Sequence, residues 1–299
     1  MASADSCPPN LRLANLFLIG SMKCGTTSLH NYLAEHPQIF MTQEPWKEPA
    51  YFVDGLNWSK GEDWYRGLFR KAGDAFFRGE SSTDYTKYPH YQGVAERIAR
   101  FSPDARILYL VRDPVDRAIS HYWWEVQWSA EGRDMLTAVR AANIIRDVSY
   151  YAMQLRQFLP LFGPERILVL TTEELSSAPT ETLERVFRWL GVDASFVPSN
   201  LKQRHNVSPE NVRKVIGSEV FSHLRGGVLW QAAKRVIPSG VRQQAIRAFS
   251  RPVSRDTSRL RETVEYLRPI QREQTAELAE LLGRQFPEWT TLYGQEAPE

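Results

Sequence analysis

The sequence predicts an α/β fold in which a central parallel sheet is flanked by helices, and three observations predict it. Short apolar runs at Leu16–Ile19, Arg106–Val111 and Arg166–Leu170 have the length and the Leu, Ile and Val content of buried strands. Each leads into an amphipathic stretch of helical period, and buried strands alternating with helices give a parallel sheet covered on both faces. A glycine-bounded loop, Gly20 to Gly25, joins the first run to a hydroxyl-rich helix start at Thr26, Thr27 and Ser28.

Taken in order, the further elements support this. Ala75–Gly79 is another strand candidate, and helices are predicted over Thr26–Glu35, Gly93–Phe101, Val115–Trp128, Tyr151–Phe162 and Ala178–Leu190, the last stopped by Gly191. The connection Met41–Trp64 carries Trp46, Trp58 and Trp64 among many charges and reads as a substrate-facing loop. The tail, Gln274–Leu292, reads as one more amphipathic helix. Ligands in such sheets sit beyond the carboxyl ends of strands, so the segments to watch are 20–28, 80–85, 112–120 and 171–174.

A chain of 299 residues, 42% hydrophobic and with net charge +2, is that of a soluble globular protein, and this charge does not imply nucleic acid as a partner. Its two cysteines, Cys7 and Cys24, make neither a disulfide framework nor a metal-ligand spacing. No run reaches the 18 or more apolar residues of a membrane span, and no small-residue cleavage site follows the apolar stretch at Leu13–Gly20, so a cytoplasmic protein without signal peptide is expected. The organisation expected is a loose leader over 1–14, an α/β core over 15–206 and a basic helical region over 207–299 that completes the same domain. Between Ser199 and Leu260 there are 12 basic residues against three acidic ones, interleaved with apolar residues. That pattern reads as basic amphipathic helices, either a solvated cap or, through residues 211–255, a peripheral contact with an acidic membrane or a lipidic, anionic substrate.

Strand, glycine-bounded loop and hydroxyl-rich helix start together make an anion cradle, because backbone N–H groups and the positive helix end converge on one point. The nucleotide-triphosphate version is G-x-x-x-x-G-K-[ST]; here Gly20 and Gly25 keep the spacing, Thr26 stands where the lysine would be, and Lys23 lies inside the loop. An ordinary strand-to-helix turn is the alternative. A second constellation, Arg112-Asp113-Pro114-Val115-Asp116-Arg117-Ala118-Ile119-Ser120, follows the Arg106–Val111 strand. Asp113 can cap the helix and Pro114 suits its first turn. Arg112 and Ser120 could grip a second phosphate, or Arg112, Asp113, Asp116 and Arg117 could form an ion-pair network at the helix start.

The two segments together, "FLIGSMKCGTTSLHNYL" and "LVRDPVDRAISHYW", resemble the sulfotransferases that use 3′-phosphoadenosine 5′-phosphosulfate (PAPS). The bacterial and heparan-sulfate-like branch fits best. The resemblance runs from Leu16 to Asn206, including Glu48–Phe52, Gly79–Tyr85 and Ser149–Gly163, and implies a P-loop nucleotide-kinase-like domain. It implies that Lys23 contacts the 5′-phosphosulfate, with Cys24, Gly25, Thr26, Thr27 and Ser28 holding the 5′-phosphate. Arg112 and Ser120 take the 3′-phosphate, assisted by Lys202 and Arg204, although the glycine usual after that lysine is absent. No metal is required, and the product is 3′-phosphoadenosine 5′-phosphate. Lys47-Glu48-Pro49-Ala50-Tyr51-Phe52 resembles the segment that supplies a glutamate base, which assigns Glu48 to that role and Lys47 to support of the sulfuryl group. Glu44, His36 and His121 are weaker rivals for the base. Glu80, Ser82 and Asp84, in a segment where Thr83 replaces the family's proline, would orient the acceptor or cap a helix. Tyr150, Tyr151 and Gln154 would line its cleft or the core. The acceptor implied is a hydroxyl or amine of a carbohydrate, glycolipid or other small molecule.

Two other classes remain open from residues alone. A P-loop kinase would want lysine after Gly25 and an acidic strand end for magnesium. A non-catalytic module binding anionic lipids would use the basic region. The oligomeric state is not legible.

Overall fold

Leu16–Leu18 form β1, all three residues buried. The computed structural model describes residues 13–129, 131–201 and 255–294, and the backbone of 212–215 and 250–253. By their contacts the residues fall into two compact units, Met1–Val111 with Met153–Asn206, and Arg112–Ala152 with Val207–Glu299.

The first unit contains a five-stranded sheet. Its strands are β1, β2 (Ile39–Met41), β3 (Phe77–Glu80), β4 (Arg106–Val111) and β5 (Ile167–Thr171), in the order β2-β3-β1-β4-β5. Every neighbouring pair is parallel, with Leu16 opposite Gly79 on one side and Arg106 on the other. Around it lie α1 (Thr26–Glu35), α2 (Glu62–Gly67), α3 (Val94–Phe101), α9 (Thr172–Ser177) and α10 (Pro179–Leu190). Because side chains alternate along a strand, each face has its own core. Leu16, Leu18, Leu108, Leu110 and Leu170 pack with Leu29 and Leu33 of α1 and Leu183, Val186 and Phe187 of α10. On the other face Phe17 meets Phe52 edge-on at 5.8 Å, and Phe52 is ringed by Tyr65, Tyr85 and Phe101. Phe52 is fully buried, which stabilises its segment by about 1.5–3 kcal/mol.

The expected strands and most helices appear within two residues of their sequence bounds. Three differences have physical causes. The expected helix Tyr151–Phe162 is two short ones, α7 (Tyr151–Leu155) and α8 (Leu159–Phe162), because Pro160 has no N–H to continue the ladder. The connection after α1 begins with the short β2 and ends in α2, so Met41–Trp64 is not a single irregular loop. The tail helix, here named α11, starts at Leu260 and runs to Leu282 through Pro269; the buried face of Thr263, Leu267, Gln271, Thr275 and Leu278 outweighs the missing bond.

In the second unit, α4 (Pro114–Trp128), α5 (Met135–Ala141) and α6 (Asn143–Asp147) pack with α11 and with α12 (Thr290–Tyr293). Where the basic stretch is described it is not helical: Val212–Val215 and Ser250–Val253 form an antiparallel pair, β6 and β7. Pro252 is tolerated because both strands of a two-stranded pair are edges. Among the described residues no helix is long and apolar enough to cross a membrane.

Candidate functional site

Three neighbouring strands of the first unit send their carboxyl ends to the site. β1 leads into the Gly20–Gly25 loop, β2 into the segment holding Lys47 and Glu48, and β3 into Glu80–Lys87. The first loop starts as an extension of the sheet, since Leu110 N donates to Gly20 O at 2.9 Å. Lys23 then adopts a left-handed φ of 72° and Gly25 one of 86°. Left-handed residues in such a loop favour an anion nest, although the Cys24 N–H between them is donated to Ser21 O at 3.1 Å. The start of α1 has neither a side-chain cap nor an acidic residue in its first turn, so its positive end is not neutralised there. Thr172 Oγ1 donates to Cys24 O at 2.6 Å and fixes the loop from the carboxyl end of β5. Cys24 is buried, while Lys23, Gly25, Thr27 and Ser28 are partly accessible. An anion fits this cradle.

The β2 segment places Lys47 against the same helix start: its ammonium donates to Thr27 Oγ1 at 2.8 Å. Burial holds the Lys47 ammonium below the usual lysine range, opposed by the carboxylates of Glu48 and Glu44. Glu48 is exposed, yet protein around it, more than any one charge, pushes its carboxyl up. Lys47 opposes this rise, Asp84 adds to it, and Lys87 and the Thr83 hydroxyl oppose it. An accessible carboxyl with a raised pKa is what a general base requires. Thr83 Oγ1 lies 3.4 Å from Glu48 Oε2.

Behind Glu48 stands a second carboxyl. Glu80 is fully buried and accepts from the Tyr65 hydroxyl at 2.9 Å, the Tyr85 hydroxyl at 2.5 Å and the Ser82 hydroxyl. Burial raises it to about 7 against the pull of these three donors. Ser82 and Glu80 therefore face protein groups, whereas Asp84 is partly exposed and paired with Lys87 Nζ at 2.6 Å. His30 is buried with Nδ1 2.6 Å from Ser81 Oγ, and burial lowers it to about 3.

The histidine rivals are committed elsewhere. His36 Nδ1 accepts from Gln38 N at 3.1 Å, which leaves Nε2 to donate to Asp193 O at 3.0 Å. His121 is buried in α4, with Nδ1 3.2 Å from Arg117 Nη1 and Nε2 3.2 Å from Glu125. Gln154 is also buried and bonds the Tyr88 backbone through both of its amide atoms.

In the second unit the Arg112 segment is fixed at its backbone. Tyr151 donates its hydroxyl to Arg112 O at 2.7 Å. Asp113 caps α4 through Val115 N and Asp116 N, and its other oxygen accepts from Leu292 N of α12 at 2.9 Å. The Arg112 guanidinium is partly exposed and lies 3.5 Å from Asp116, and Ser120 is also partly exposed. Arg117 is instead fully buried, bonded to Ser149 Oγ at 2.5 Å and to Ile145 O. Lys202 and Arg204 lie outside the described residues.

The pattern that defines the Sulfotransferase family matches residues 15–196. The chain belongs to that family. Among curated relatives of this sulfotransferase-family chain, the human bifunctional heparan sulfate N-deacetylase/N-sulfotransferase 3 is 29% identical over 201 residues, covering 60% of the chain and 22% of that protein. The membrane-associated sulfotransferase kil1 of Dictyostelium discoideum is 35% identical over 121 residues, covering 40% of the chain and 24% of that protein. The chain thus spans less than a quarter of the length of either. A solved structure of a sulfotransferase from Alicyclobacillus acidocaldarius superposes with TM-score 0.64 at 25% identity, covering 92% of this chain and 98% of that one.

Sequence reasoning about the family's segments missed Lys87 and Tyr65, whereas Thr172 lies in the strand-end segment 171–174 marked from the sequence. Lys87 had a signal, since it stands three residues beyond Asp84, just past the marked segment 80–85. Tyr65 had none, because it arrives from an element remote in sequence.

Proposed function

We propose that the chain transfers a sulfuryl group from PAPS to a hydroxyl or amine of a carbohydrate, glycolipid or other small molecule, with Glu48 as general base. The observation that carries this reading is the bond from Lys47 to Thr27, which sets the loop bearing an accessible, pKa-raised carboxyl against an uncapped, nest-like helix start. When bound, PAPS supplies an activated sulfuryl group whose departure leaves negative charge on its phosphate. Lys23 and the loop from Cys24 to Ser28 would hold the 5′ end, and Lys23 would neutralise the growing charge. Arg112 and Ser120, with Lys202 and Arg204, would take the 3′-phosphate, the arginine fork matching its oxygens. Glu48 would accept the acceptor's proton, and Lys47 would face the group in transit. The named activity of the heparan sulfate relatives supports a carbohydrate acceptor. The description of the Dictyostelium relative as membrane-associated supports a peripheral membrane contact, for which the basic composition of 211–255 makes that segment the candidate.

Two measurements test this. Adenosine 3′,5′-bisphosphate should raise the melting temperature without metal, and Mg·ATP should not; the reverse ranking would favour a kinase. Labelled sulfate should pass from PAPS to N-desulfated heparin or to a component of a cell extract. Glu48→Gln should lower that rate by roughly 10²–10⁴, and a fully active variant would remove the base assignment.

A further inference from the structure

Glu48 stands at the head of a segment held from behind. Ala50 N donates to Ser82 Oγ at 2.8 Å, and Phe52 N lies 3.5 Å from the Tyr85 hydroxyl oxygen. Both hydroxyls point their own hydrogens at Glu80. We propose that Glu80 is the positioning residue of the base loop, holding Ser82 and Tyr85 so that their oxygens receive the amides two and four residues beyond Glu48. This rests on the reading of Glu48 as the base.

The direction of each bond follows from the proton inventory. A hydroxyl has one hydrogen; once Glu80 takes it, only lone pairs remain to face the loop. An ionised carboxylate accepts only, and the three hydroxyls around Glu80 match that state. Burial beside Glu80 pushes both tyrosine hydroxyls well above the usual range, so they keep their protons and donate. Glu80 has no exposed surface, so it cannot touch a substrate; apart from the charge repulsion it shares with Glu48, its hold on the loop passes through these relays. The loop needs such holding, because Ala50 has a left-handed φ of 46°, a region that disfavours a residue with a Cβ. Tyr65 supplies an internal control. It donates to Glu80 as Tyr85 does, but no relay to the Glu48–Phe52 amides runs through it among the bonds described.

The test compares Glu80→Gln, Ser82→Ala, Tyr85→Phe and Tyr65→Phe in the full chain by amide hydrogen exchange of Ala50 and Phe52. Loss of a relay bond should speed exchange by about tenfold. Ser82→Ala should act at Ala50, Tyr85→Phe at Phe52, and Glu80→Gln at both. Tyr65→Phe should leave both amides protected even if it lowers the melting temperature. With PAPS and N-desulfated heparin, the relay variants should lose about tenfold to a hundredfold in kcat, with the dissociation constant for adenosine 3′,5′-bisphosphate unchanged. Equal acceleration of exchange in all four variants, or in none, would overturn the proposal and leave a general packing role. Should Glu48→Gln keep full activity while the exchange pattern holds, the base assignment falls and the loop-positioning network stands.

Discussion

The Lys47 ammonium donates to the Thr27 hydroxyl at 2.8 Å, and through this bond the loop after β2 is fastened to the start of α1. A cation at a positive helix end is unfavourable unless an anion joins them. Burial already holds Lys47 below its usual range, so its charge is most stable with an anion bound. Lys47→Met keeps the side chain's bulk and removes the charge. Single-turnover transfer from PAPS should slow by about 10²-fold. A rate within about twofold of the parent would reduce Lys47 to a tether.

Arg112 is held at its backbone by Tyr151, while its guanidinium remains partly exposed beside Asp116. If it reads a ribose phosphate, Arg112→Ala should weaken adenosine 3′,5′-bisphosphate by about 1.5–3 kcal/mol, the range for hydrogen bonds to charged groups. Adenosine 5′-phosphate should bind the variant and the parent alike. Calorimetry with both nucleotides checks this, and equal losses for both would remove the assignment.

Gly20 is a packing requirement. A Cβ there would lie 2.1 Å from Thr86 Oγ1, at a φ of 152°. That hydroxyl is itself engaged, donating to Ile19 O at 3.0 Å. Gly20→Ala should lower stability by about 2–4 kcal/mol. Adding Thr86→Ala removes the nearest atom, leaving the next at 3.4 Å, and should restore part of the loss. Denaturant titration of both variants decides it; no recovery in the double variant would place the strain in the backbone alone.

The sheet was legible because β4 and β5 are contiguous apolar runs, and the turn from β1 into α1 because its glycine spacing is local. Asp113 as a helix cap was legible for the same reason, since cap and amides lie within three residues. What the sequence hid is set by distant partners. The relay from Glu80 through Tyr85 to Phe52 joins residues 33 apart, and no periodicity encodes it. The run of α11 through Pro269 was hidden because tertiary packing overrode a local breaker. Tyr65 follows directly on the connection that looked substrate-facing, yet its ring stacks on Tyr51 of that connection at 4.5 Å in the core.

Two buried groups should give the stability a divided pH dependence. Glu80 rises from 4.5 to about 7 on folding. The folded chain therefore binds a proton between those values that the unfolded chain lacks, and this contribution is lost as pH rises through about 7. His30 falls from 6.5 to about 3 on burial. Here the unfolded chain binds the extra proton, so this contribution is full above 6.5 and lost as pH falls. Between pH 4.5 and 6.5 the two slopes oppose each other, each on the order of 1.4 kcal/mol per pH unit at full effect. Urea unfolding at pH 5, 6, 7 and 8 should separate them. Glu80→Gln should leave a stability that climbs with pH over 5–6.5, and His30→Gln one that declines over 5–7, with the parent flatter than either. The same slope in all three proteins would show that neither group titrates as its burial requires.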